Sequence, residues 1–309
     1  MRVAIIGQRD FGKAVLEAFL SRGDSVAGVF CAPEKPGAAP DELRVAAEER
    51  RIPVYQFASL KAEEARVALR ALDADVGILA YVLQFDAQDF ANIPRHGTIQ
   101  YHPSLLPLHR GPSSINWAII QGDSHTGLTI FRPTDGLDEG PIILRKDTPI
   151  GANDTVGSIY FERLFPMGVA AVVEAADLVV SGATATVQDE SQASYEGWCR
   201  SGEAKINWHN HVDQIHDLIR GCDPAPAAWT LFKGKKLQLF GARKHLARTF
   251  SQVKGSVGAV TAIGEQSVSI AAQGGQIEVS KLRYDTGKKM PAPPLCAEIG
   301  LEPGSVLGD

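Results

Sequence analysis

Between Gly97 and Lys146 the chain gathers residue types that can move a proton and hold an anionic oxygen. In the run GTIQYH the side chains of a strand alternate, so Thr98, Gln100 and His102 share one face. A central strand of a parallel sheet is ordinarily apolar on both faces, and three polar groups on one face call for partners or a task. His102 stands at the carboxyl end of that strand, where open α/β sheets place their ligand crevice. The stiff turn Pro103-Ser104-Leu105-Leu106-Pro107 follows, with a cis Leu106–Pro107 bond as one option, then Arg110-Gly111-Pro112 and a helix from Ser113 or Ser114. Further on, the loop TDGLDEGP carries Asp135, Asp138 and Glu139 between glycines. Asp135 and Glu139 taken alone read as surface acids. Asp138 next to His102 makes an acid–base pair in which the carboxylate holds and charges the imidazole.

Other chemistry-bearing patterns are weaker. Gly7 to Ala14 nearly spells a phosphate-binding loop, but Ala14 lacks the hydroxyl that would hold a magnesium ion. The dinucleotide fingerprint fails too, because the second strand ends in Phe30-Cys31-Ala32 with no acid for a ribose. Gly7 and Gly12 read instead as close packing of the first strand and helix. His209, His211 and His216 lack a ligand pattern, since positions 209 and 211 diverge by ~200° on a helix, so no metal is expected. Cys31, Cys199, Cys222 and Cys296 lie far apart in sequence and suggest neither a redox pair nor a disulfide framework. Trp198, Trp208 and Trp229 read as packing residues, and KGKK as an exposed hairpin turn.

The elements that must position His102 and Asp138 are those of an α/β sheet. RVAIIG, SVAGVFC and ADVGILAY are near-continuous apolar strands, separated by the helical patterns KAVLEAFLSRG and DELRVAAEERR. That alternation predicts a parallel, Rossmann-like sheet covered on both faces. LTIFR and PIILRKDTPI add strands, and residues 155–182 read as one long core helix stopped by Gly182. Residues 183–203 lose periodicity and read as a linker. Beyond it, HVDQIHDLIRG is an amphipathic helix, and KKLQLF, GSVGAVTAI, QSVSIAA and GQIEVSKLR are short strands of a small OB-like barrel. The expected organisation is thus 1–182, a linker at 183–203, and 204–309.

The 309 residues, 44% hydrophobic and 22% charged, have ordinary globular composition. No run approaches the ~20 apolar residues of a membrane helix, and no cleavable leader precedes the first strand, so a soluble cytoplasmic protein is expected. The formal charge of -5 is uneven: residues 1–199 hold 17 Lys/Arg against 26 Asp/Glu, and residues 200–309 hold 14 against 10. The basic second part, with Lys233, Lys235, Lys236, Arg243, Lys244 and Arg248, could meet an anion such as tRNA, or simply face solvent.

HPSLLP with Arg110-Gly111, and Asp138 within GLDEG 36 residues after His102, together resemble the folate-dependent formyltransferase family over nearly the whole chain. The resemblance implies that His102 and Asp138 are the catalytic pair. It implies that Ser104, Leu105, Leu106 and Pro107 line a tetrahydrofolate site, and that Tyr81, Val82, Leu83, Gln84 and Phe85 flank the pterin. The family's usual Asn two residues before the His is here Gln100, which can offer the same amide to an oxyanion from one methylene further out. The implied formyl donor is 10-formyltetrahydrofolate, with no metal and no NAD(P).

Within the family the chain is most similar to the hydrolase domain of 10-formyltetrahydrofolate dehydrogenase, on HPSLLPLHRGPSSINW, the short Pro33 to Asp41 loop, and YEGWCRSGEAKINW leading to IRGCDPAPAAW. That domain has an apolar residue where this chain has Gln100. Water is then the implied acceptor. The alternatives are a methionyl-tRNA formyltransferase, whose longer basic loop after the second strand is here short with only Lys35, a sugar-nucleotide amine formyltransferase, and a folate-binding module without turnover.

Overall fold

A computed structural model describes residues 1–82, 88–247 and 255–308. Its strands and helices alternate as β1 (Arg2–Gly7), α1 (Arg9–Arg22), β2 (Ser25–Cys31), α2 (Glu42–Glu49), β3 (Val54–Gln56), α3 (Glu63–Ala71), β4 (Val76–Ala80), α4 (Gln88–Ala91) and β5 (Thr98–His102). Then come α5 (Ser114–Ile120), β6 (His125–Phe131), β7 (Ile142–Pro149), α6 (Val156–Ile159), α7 (Phe165–Val180) and α8 (Val212–Gly221). The remainder is β8 (Trp229–Phe232), β9 (Lys235–Leu246), β10 (Val260–Ile263), β11 (Val268–Ala272), β12 (Gly275–Tyr284), β13 (Met290–Pro291) and α9 (Ala292–Ile299).

The chain forms two compact units: Met1–Pro112 with Thr126–Thr148 and Phe161–Glu196, and Ser113–His125 with Pro149–Tyr160 and Gly197–Asp309. The segment read as a linker is therefore divided, its residues 183–196 belonging to the first unit and 197–203 to the second.

The first unit holds a sheet of order β3-β2-β1-β4-β5-β6-β7. β1 to β5 pair in parallel, and their fully buried runs, such as Val3 to Ile5 and Ile78 to Ala80, explain the apolar strands. β6, read only as a further strand, runs the other way. It lies antiparallel to β5, with Gln100 opposite Phe131 and His102 opposite Thr129. Gly7 lets β1 approach β4, since a Cβ there would collide with the Ala80 carbonyl, so the close packing is against a neighbouring strand and not the helix expected. The expected single helix over 155–182 is interrupted, with Tyr160–Leu164 wound as a π-helix between α6 and α7. Pro166, in the first turn of α7, has no N–H to continue the ladder, so a new helix starts there.

In the second unit an antiparallel sheet runs β10-β11-β12-β9-β8, with β13 on β12. KGKK is the hairpin turn expected: Lys233 and Gly234 join β8 to β9 with φ of 51° and 71°, the left-handed pair that a two-residue hairpin needs. Ile215, Ile219, Leu237, Leu239, Val279 and Leu282 form its core. Cys199 and Cys222, remote in sequence, bring their Sγ atoms to 3.9 Å there, so the spacing did not foretell the thiol pair. No helix among the described residues is long and apolar enough to cross a membrane.

Candidate functional site

The site is assembled at the carboxyl ends of β4 and β5, wholly within the first unit. His102 ends β5 and is 5% exposed. Its Nε2–H donates to the His109 carbonyl at 2.9 Å, which fixes the ring and the proton on that nitrogen. Nδ1 is left facing Asp138, 3.6 Å from Oδ2. That separation is too long for a hydrogen bond and leaves room for the pair to tighten.

Asp138 is 7% exposed, and Oδ2 accepts the Gly111 backbone N–H at 2.9 Å. One carboxylate oxygen is thus anchored and the other is open to a proton. The residue sits at φ 56°, in the left-handed region that costs a non-glycine residue on the order of 1 kcal/mol or more. His109 at φ 56° and Tyr81 at φ 64° share that conformation. Gly111 at φ 109° carries no such penalty, and a Cβ on it would meet the Glu196 carbonyl.

The segment after His102 is built by its own polar groups. The Leu106–Pro107 bond is cis. Ser104 Oγ donates to the Leu108 carbonyl at 2.7 Å. The Thr129 hydroxyl donates to the Ser104 carbonyl at 2.7 Å and accepts from the Leu106 amide at 3.1 Å. Arg145 Nη1 donates to the Leu106 carbonyl at 3.0 Å. Leu106 and Pro107 are buried and Leu105 half-buried, so Ser104 to Pro107 form a rigid wall next to His102.

The other expected site residues fall as follows. Gln100 is half-buried two residues before His102 on β5, and no described residue hydrogen-bonds its amide. Thr98, on the same face, is buried deeper, where Gly77 makes space for it. Tyr81, 41% exposed, and Val82, packed against Phe30 and its neighbours, leave the end of β4. Leu83, Gln84 and Phe85 lie outside the described residues, as does Arg248. Asp135 and Glu139 are exposed, in keeping with their reading as surface acids. The structure therefore brings His102 and Asp138 together, leaves Gln100 free nearby on the strand, and places Ser104 to Pro107 beside them.

Sequence reasoning missed the two backbone groups that hold the pair, the His109 carbonyl and the Gly111 amide. The Arg110-Gly111-Pro112 run carried the one available signal, a glycine between a cation and a proline. The histidines set aside as metal ligands have local tasks: His211 Nδ1 accepts the Asp213 amide at the start of α8, and His216 is buried in the core.

The description of the formyl transferase family matches residues 1–175, and that of the formyl transferase C-terminal domain matches residues 200–299. The chain is 37% identical over 304 residues to mitochondrial 10-formyltetrahydrofolate dehydrogenase of Mus musculus, covering 94% of this chain and 33% of that protein. It thus spans about a third of the length of that relative. It is 30% identical over 314 residues to methionyl-tRNA formyltransferase of Geobacter metallireducens, covering 100% of this chain and 99% of the other. An N-formyltransferase from Helicobacter canadensis, solved with folinic acid and dTDP-3-aminofucose, shares the fold at a TM-score of 0.70 and 18% identity, over 90% of this chain and 98% of that one. With a profile covering more than half of its length and a relative matching it end to end, the chain belongs to the formyltransferase family.

Proposed function

We propose that this protein takes the formyl group of 10-formyltetrahydrofolate and passes it to water, releasing formate and tetrahydrofolate. The observation that carries the reading is the buried His102–Asp138 contact at the end of β5, in a chain of the formyltransferase family. His102, its Nε2–H spent on His109, works through Nδ1. Asp138, with one oxygen on the Gly111 amide, offers the other to the proton of the attacking water. As the water oxygen bonds to the formyl carbon, the C=O electrons move onto oxygen. His102 protonated at Nδ1 and the Gln100 amide are the donors for that oxyanion. Collapse breaks the bond to N10, which leaves with the proton that Asp138 took from the water. No metal or nicotinamide cofactor enters these steps. Ser104 to Pro107, with Tyr81 to Phe85, are the proposed walls of the folate site.

A second reading, transfer to the amino group of methionyl-tRNA, is favoured by the end-to-end match with the Geobacter metallireducens relative. Against it, several basic groups of the second unit already have partners, two of them acids. Lys244 donates to Asp213 at 2.6 Å, Lys235 lies 3.3 Å from Asp285, Lys236 donates to Ser201 and Lys233 to the Ile299 carbonyl. A cation already paired contributes less to holding a phosphate. The deciding experiment mixes purified protein with 10-formyltetrahydrofolate alone and follows formate and tetrahydrofolate. Steady release that disappears in His102→Ala supports the hydrolase. Folate binding with negligible release refutes it and makes charged methionyl-tRNA the next acceptor to add.

A further inference from the structure

We propose that Gln188 is a positioning residue for Asp138, fixed in turn by Arg110, so that the segment read as a linker is part of the site; this rests on the reaction proposed above. Gln188 is 5% exposed, and its Nε2 donates to two carbonyls of the Asp138 loop, Asp138 O at 2.8 Å and Gly140 O at 2.7 Å. Those carbonyls flank Glu139, so one amide group clamps the turn that presents Asp138. That clamp helps hold a non-glycine residue at φ 56°, beside the anchor that the Gly111 amide gives its carboxylate.

The amide cannot turn over. Its Oε1 accepts from Arg110 Nε at 3.2 Å and Nη2 at 2.8 Å, and a guanidinium only donates. Oε1 must therefore face Arg110, and both amide hydrogens must face the loop. Arg110 is fully buried and is itself held from the same segment, by the Glu190 carboxylate at 2.6 and 2.8 Å and by the Tyr195 hydroxyl at 2.8 Å. Tyr195 donates in turn to Glu139, the exposed acid of the loop. The Arg110 backbone completes the circuit, its N–H donating to the Ser194 carbonyl and its carbonyl accepting the Glu196 N–H. On either side of Arg110 lie the two groups that touch the catalytic pair, the His109 carbonyl and the Gly111 amide. One buried cation thus sets the carboxylate and the imidazole relative to each other.

Two variants separate the roles of the amide. Gln188→Glu keeps an acceptor for Arg110 but removes both donors to the loop, and Gln188→Ala removes everything. In both, kcat for formate release should fall by about 10- to 100-fold, the scale of a catalytic group misplaced by an ångström, while KM for 10-formyltetrahydrofolate stays within about twofold. Deuterium exchange at the Gly111 amide, which Asp138 shelters, should quicken in both, while exchange in β1 and β4 stays as in the parent. Unchanged Gly111 exchange would overturn the proposal, as would a loss carried by KM alone. Failure of both variants to fold would overturn it too, assigning Gln188 to the fold and not to the site. If the parent protein neither releases nor transfers formyl, the reaction assignment fails, and the exchange measurement still reads whether Gln188 holds the loop.

Discussion

Two histidines of this chain lie against an aspartate at the same separation, one in each compact unit. His102 Nδ1 is 3.6 Å from Asp138, and His216 Nδ1 is 3.6 Å from Asp217. Both rings are buried, and both spend Nε2 on a backbone carbonyl, that of His109 at 2.9 Å and that of Ala242 at 3.3 Å. What separates them is the rest of the carboxylate's company. Arg220 donates to Asp217 at 2.8 Å. Burial by itself would raise the Asp217 carboxyl, but His216, Arg220 and the charge of Lys244 outweigh it and hold it below the ordinary carboxylate range. Such a carboxylate is a poor proton acceptor. Asp138 has a neutral backbone amide on Oδ2 where Asp217 has the permanent cation of Arg220 on its carboxylate. Distance and burial are the same in both pairs; in the function proposed above, the carboxylate without a permanent cation is the one that works.

The largest effect should fall on one pair and not the other. His102→Ala and Asp138→Ala should each lower turnover by about 10²-fold or more with little change in melting temperature. His216→Ala should lower the melting temperature and leave kcat within a few-fold. Parallel rate assays and thermal melts decide this, and a comparable rate loss in His216→Ala would collapse the distinction between the two pairs.

Gly111→Ala is a finer cut at the same contact. The added Cβ meets the Glu196 carbonyl at a backbone φ of 109°, which displaces the amide that anchors Asp138. A stability loss of about 1–3 kcal/mol by urea titration should accompany a drop in kcat of at least about tenfold.

Asp217→Asn probes the other pair through pH. Because the folded carboxyl is depressed, its stabilisation is present above the ordinary aspartate pKa of about 3.9 and lost as pH falls through the folded value. The variant should be less stable than the parent by about 1–3 kcal/mol at pH 7. The two should converge as pH falls below about 4, which unfolding curves at stepped pH would display.

The smallest effect belongs to the shortest His–carboxylate contact described. His245 Nε2 lies 2.6 Å from Glu278, but the pair is 58% and 33% exposed. His245→Ala should change stability by less than about 0.5 kcal/mol and leave the rate alone.

Much of this was legible in the sequence because it is local or periodic. Apolar runs of strand length predicted β1, β2 and β4, a polar face ending in His102 predicted β5, and GLDEG carried Asp138. What escaped reading depends on partners far along the chain. The antiparallel course of β6 leaves the same apolar run as a parallel one would. The π-helix at Tyr160–Leu164 keeps the apolar content of a continuous helix, so Pro166 was its only mark. Gln188, Glu190 and Tyr195 sit in a Ser-, Gln- and Glu-rich stretch that reads as a linker, because a hydrogen bond across 50 or 80 residues has no period.

The sequence by itself determined the alternation of strands and helices, the presence of an imidazole at a strand's carboxyl end, and a loop of acids 36 residues later. These follow from side-chain period and from the types of atom each residue carries. Only the tertiary structure showed what turns Asp138 toward the imidazole. Asp135 and Glu139 carry the same carboxyl group as Asp138, yet they stay exposed while Asp138 turns inward onto the Gly111 amide. A buried carboxylate needs a donor aimed at it, and the direction of a backbone N–H exists only once the chain has folded.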